Sequence, residues 1–187
     1  MTTGTKLITS EETDTLRQLI GCTLRSYGTT NLLNGTRTAI GEAFIEASDG
    51  ILVSLRSELH SYAINGVTDD FATVSIEPGD ESLVDVAARK GSLFYDFSNS
   101  VITNLGIIRV EFIRDEASKA TQSCVIDLGL MVETEIGRIA IFNGSIWVNE
   151  FDFEVLRGAT ALGEPEAFES ELADAWETRT TVIQLGD

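Results

Sequence analysis

The stretch Ala43-Phe44-Ile45-Glu46-Ala47-Ser48-Asp49-Gly50-Ile51-Leu52-Val53-Ser54-Leu55 decides how this chain is read. Two mostly apolar runs flank an Asp-Gly pair. Asp and Gly tolerate the positive φ values of a tight type I′ turn, so the stretch predicts a β-hairpin rather than a helix. The same reading applies to Asn143-Gly144, which separates Arg138-Ile139-Ala140-Ile141-Phe142 from Ser145-Ile146-Trp147-Val148, and Asn34-Gly35 marks a third turn. Further extended segments are expected at residues 71–77, 101–114, 123–134 and 180–185, which are rich in β-branched residues and partly alternating.

Three segments carry helix signals instead. Thr9-Ser10-Glu11-Glu12 has capping-box spacing, with Leu16, Leu19 and Ile20 on one face and Gly21 as the stop. Pro78-Gly79-Asp80 leads into residues 81–90, which start with acids, end with Arg89 and Lys90, and are followed by Gly91, in accord with the helix dipole. Glu164-Pro165 opens the third, where Phe168, Leu172, Ala175 and Trp176 share a face and Glu166, Glu169, Glu171 and Asp174 take the others. The links between strands look too short for repeated helical crossovers, so the expected fold class is α+β: antiparallel meanders and hairpins packed with about three helices. Residues 9–77 and 80–150 each read as one helix followed by four strands, which suggests two similar halves within one compact domain spanning residues 1–187, closed by an acidic helix and a strand at 164–185.

Composition sets the outer bounds. Of 187 residues 43% are hydrophobic and 23% charged, the profile of a folded globular chain long enough to build a core without metal or disulfide staples. Residues 1–8 lack a basic start and a continuous apolar run, no stretch approaches a membrane span of ~20 apolar residues, and the expected location is cytoplasmic. Cys22 and Cys124 have no CxxC or Cys/His spacing and read as small core residues. Thirty acids against 13 bases give a net charge of −17. Acid minus base leaves −2 over residues 1–62, −5 over 63–124 and −10 over 125–187. Such a field repels nucleic acid and anionic lipid and attracts basic proteins, although charge of this kind also serves simple solubility.

Catalytic signatures are missing from the sequence. His60 is the single histidine, so a Ser-His-Asp or Cys-His arrangement has to use it, and no Gly-x-Ser-x-Gly turn presents a serine. Neither GxxxxGK[ST] nor GxGxxG occurs, and no cofactor or metal is implied. The most suggestive constellation is Glu150-Phe151-Asp152-Phe153-Glu154-Val155, where alternation places three carboxylates on one strand face and the apolar residues on the other.

The expectation is therefore a non-enzymatic acidic protein that binds another macromolecule, most plausibly a basic protein, as an inhibitor or immunity-type protein or a chaperone-like adaptor. Glu150, Asp152, Glu154 and Asp174 are the candidate contact residues. The alternative is a small-ligand binder or enzyme using carboxylates in a sheet-lined pocket, such as Asp127 with Glu133 or Glu135. A homodimer formed through the strand at 180–185 is a third reading.

Overall fold

A computed structural model describes residues 3–33, 36–64, 67–114, 122–144, 150–156 and 177–186. Within them lie two helices, α1 (Ser10–Arg17) and α2 (Ser82–Lys90), and twelve strands. The first six strands are β1 (Thr3–Lys6), β2 (Leu24–Gly28), β3 (Thr38–Ile40), β4 (Glu42–Ala47), β5 (Leu52–Ile64) and β6 (Val67–Pro78). The others are β7 (Leu93–Phe94), β8 (Ile102–Arg114), β9 (Gln122–Thr134), β10 (Gly137–Asn143), β11 (Glu150–Leu156) and β12 (Glu177–Gln184). They form a five-stranded sheet in the order β6-β5-β4-β2-β7 and a seven-stranded sheet in the order β12-β8-β9-β10-β11-β3, with β1 added alongside β9.

The α+β expectation with about three helices is thereby corrected: the protein is mostly β, two antiparallel sheets with two short helices among the described residues. The reason lies in strand length. β5 runs on to Ile64 and β6 starts at Val67, both beyond the expected segments, and β8 and β9 span thirteen residues each, whereas α1 and α2 span eight and nine. The third expected helix lies outside the described residues.

Local chemistry explains the elements that the sequence marks. Thr9 caps α1 as a full capping box, its hydroxyl accepting from the Glu12 amide at 3.2 Å while Glu12 accepts from the Thr9 amide at 2.8 Å. The second carboxylate oxygen of Glu12 accepts from the Ile76 amide at 2.8 Å. β6 is an edge strand, so this bond satisfies a donor that has no neighbouring strand and ties α1 to the sheet margin. α2 ends at Gly91, which adopts φ 68°, and Asp80 accepts from the Ser82 amide at its start. Asp49 and Gly50 both take positive φ between β4 and β5, as the Asp-Gly reading requires. β10 pairs with β11, where Asn143 faces Phe151, and residues 145–148, expected as its hairpin partner, lie outside the described residues.

Three apolar layers hold the molecule together. The largest lies between the sheets and joins Leu24, Ile45, Leu55 and Ile76 of one to Leu105, Leu130, Ile141 and Phe153 of the other, with Leu16 and Leu19 of the α1 segment closing one side. The second, on the opposite face of the seven-stranded sheet, contains Ile108, Val110, Phe112, Cys124, Ile126 and Phe142, reached from β6 by Phe71. Ala87, Leu83 and Val84 of α2 cover Phe44 and Leu52 on the outer face of the five-stranded sheet. Each fully buried large side chain contributes about 1.5–3 kcal/mol, so these layers dominate stability. Cys22 packs on the first layer and Cys124 within the second, where burial pushes its thiol up to about 11.

One irregularity organises the central strand. β9 gives the same edge first to β1, in parallel over Ser123 to Ile126, and then to β10, antiparallel over Gly129 to Thr134. A register shift opposite Ile108 and Arg109 falls between the two, as a β-bulge does. At that shift Gly129 runs so close to β10 that a Cβ would stand 2.2 Å from the Ile141 carbonyl oxygen, which only glycine permits.

Candidate functional site

β11 carries three of the four sequence-derived contact residues, and its alternation works as the sequence implies. Phe151 and Phe153 are buried in the inter-sheet layer, and Glu150, Asp152 and Glu154 occupy the opposite face. That face is not a plain solvated one. Across the strand pair Asp152 faces Phe142 and Glu154 faces Ala140, both members of the second apolar layer, so the carboxylates fringe a buried patch. Asp152 is half-buried and accepts a 2.6 Å hydrogen bond from the Thr38 hydroxyl of β3. Glu150 and Glu154 form no ion pair or side-chain hydrogen bond among the described residues. Asp174 lies outside the described residues.

Among the described residues five arginines are committed to ion pairs away from this strand. Arg17 pairs with Asp14, Arg37 with Asp96, Arg56 with Glu77, Arg109 with Asp127 and Arg138 with Glu133. Asp127 is fully buried and saturated: it accepts from Arg109 Nε at 2.7 Å, from the same guanidinium at 3.0 Å, and from the Ile8 amide at 2.7 Å. This carboxylate fixes the end of β1 in the gap that β9 leaves before β10 begins. Glu133 faces Arg138, and Glu135 is exposed in the following turn, so the structure does not assemble Asp127, Glu133 and Glu135 into an acid/base pair. His60 sits on β5 facing Phe71, its Nε2 3.5 Å from Glu58.

Two further arrangements escape the sequence because each joins residues from distant segments. Tyr27 of β2 and Arg37 both donate to Asp96 Oδ2, at 2.7 and 2.8 Å, and Arg37 lies 4.4 Å from the centroid of Phe94. Beneath them Tyr27, Phe94 and Phe153 pack with ring centroids 5.2–5.9 Å apart, so the cluster bolts the two sheets together. Burial raises the Tyr27 phenol, and the bond to Asp96 adds to that rise. Burial also opposes ionisation of Asp96, but the bonds from Arg37 and Tyr27 outweigh it and hold the carboxyl below its ordinary value. A register shift at Arg25 likewise turns that side chain into an open cleft of about 210 Å³ shared with Glu46, Glu81 and Asp85, floored by Leu52 and Val84.

Among the described residues no three His, Cys, Asp or Glu side chains gather as a metal site, and no helix is long and apolar enough to cross a membrane. Comparison with known families, curated proteins and solved structures finds no match to this chain.

Proposed function

We propose that the protein binds a basic protein through its acidic surface, with β11 as a contact strand. The observation that carries this reading is the contrast on and around β11: among the described residues Glu150 and Glu154 stand without a cationic partner while five arginines are committed to ion pairs elsewhere. A net charge of −17 adds long-range attraction for a cationic partner and repulsion of nucleic acid and anionic lipid. An inhibitor or immunity-type protein covering a cationic active site fits this surface, as does a chaperone-like adaptor.

The test uses an octapeptide of alternating Lys and Ser as a basic probe. Reversing Glu150→Lys and Glu154→Lys together, with Asp152 left in its bond to Thr38, is expected to weaken peptide binding at least ~10-fold at ~50 mM salt, with the difference shrinking at ~0.5 M as screening tightens. Equal affinity of the two proteins at low salt contradicts the reading. The competing reading, a small-ligand binder, is favoured by the acid-lined cleft at Arg25. It predicts that free arginine or a polyamine raises the melting temperature of the wild type and not of a Glu46→Gln, Asp85→Asn variant.

A further inference from the structure

Four large hydrophobic side chains are exposed among the described residues, and the two most exposed, Tyr95 at 62% and Ile136 at 64%, stand on two loops that meet. Tyr95 opens the connection from β7 to β8, and Ile136 lies in the turn between β9 and β10. The Glu135 amide donates to the Val101 carbonyl at 3.2 Å. Phe97 lies flat against the turn, so close that a Cβ on Gly137 would stand 2.2 Å from its ring.

The β7–β8 connection is built rather than slack. Phe97 and Asn99 hold φ of 57° and 65°, left-handed values that cost side-chain-bearing residues of order 1 kcal/mol or more and persist only when the surroundings impose them. Here they are imposed by amide bonds from Ser98 to Tyr95, from Ser100 to Phe97 and from Asn99 to Leu24. Asp96, between Tyr95 and Phe97, is clamped from below by Arg37 and Tyr27. Tyr95 is therefore an exposed aromatic side chain on a fixed backbone, on a loop packed against the turn that carries exposed Ile136, which is the makeup of an interaction anchor with little ordering cost.

We propose that the Tyr95–Ile136 junction is the apolar anchor by which a basic protein docks on this chain, an inference that rests on the acidic-surface reading above. Charge complementarity selects the occupant. Glu135 beside Ile136 is exposed and unpaired, and the chain carries −17, so a second copy is repelled while a cationic segment with an apolar side chain is attracted.

Two octapeptides of equal charge, one alternating Lys with Leu and one alternating Lys with Ser, separate the two claims. Wild type is expected to bind the Leu peptide about tenfold more tightly, a factor of ten corresponding to about 1.4 kcal/mol. Tyr95→Ser with Ile136→Ser, or Tyr95→Ser alone as a milder variant, should abolish or reduce that preference, leaving Ser-peptide affinity and melting temperature unchanged because both side chains are exposed. A preference retained in the double variant overturns the anchor while leaving the acidic surface intact. Absence of Ser-peptide binding to wild type overturns the acidic-surface reading, and any Leu-peptide binding that still depends on Tyr95 then marks an apolar site with no basic selectivity. A wild-type dimer in sedimentation that Tyr95→Ser dissolves would make a second copy the occupant and also overturn the proposal.

Discussion

At Asp127 one carboxylate settles three matters at once: it neutralises Arg109, receives the Ile8 amide, and fills the gap where β9 exchanges β1 for β10. Because the group is fully buried, its removal leaves a partly buried cation and an orphaned amide. Asp127→Ala is expected to lower unfolding free energy by about 3–5 kcal/mol in urea titration, and adding Arg109→Leu should recover part of the loss, since breaking a buried pair costs more than replacing it. A loss under ~1 kcal/mol would show that the pair is not structural. None of this was legible in the sequence. Asp127 there is one acid among thirty, and its partner becomes apparent only when the register of β8 and β9 is known.

At the scale of elements, the signals that proved readable are those confined to a few consecutive residues. The Thr9 capping box, the Gly91 stop and the Asp49-Gly50 turn each act through neighbours four or fewer positions apart, and all three stand in the structure. What neighbours cannot specify is where an element goes. β3 leaves the strands on either side of it to pair with β11 in the other sheet, and β7 crosses from the second half of the chain to pair with β2. α1 likewise has a task its capping box does not announce, since Glu12 also binds the edge of β6. Burial opposes the charge of Glu12, but amide bonds from Thr9 and Ile76 outweigh it and depress the folded-state pKa. A depressed acid stabilises the fold above its unfolded pKa and loses that contribution as pH falls through the folded value. Glu12→Gln is therefore expected to cost about 1–2 kcal/mol at pH 7, through the cap and the Ile76 amide, with the gap to wild type closing below the carboxylate range. Denaturant melts at pH 7 and pH 3 check this, and a gap that widens on acidification would reverse the sign of the argument.

For the whole molecule, the balance of charge was legible in full and the fold only in part. Alternation in residues 150–155 placed Phe151 and Phe153 in the core and three acids on the other face, as the structure has it. That the acids border a second apolar layer was not visible, because that layer is assembled from β8, β9 and β10 together with Phe71 of β6, far apart in sequence. Nor was the meeting of the β7–β8 connection with the β9–β10 turn, whose exposed Tyr95 and Ile136 are 41 positions apart. The α+β expectation failed for a related reason: local signals mark helix ends and turns, while the extension of β5 to Ile64 and of β6 back to Val67 is set by their pairing with each other.

The most direct test of the acidic docking surface is capture from a lysate of the source organism, with wild type and the Glu150→Lys, Glu154→Lys variant as parallel baits at ~50 mM and ~0.5 M salt, where the screening length falls to a few Å. The account predicts one basic protein held by wild type at low salt, weakened at high salt and depleted on the variant. Equal retention on both baits, or a retained partner that is acidic or indifferent to salt, would contradict it.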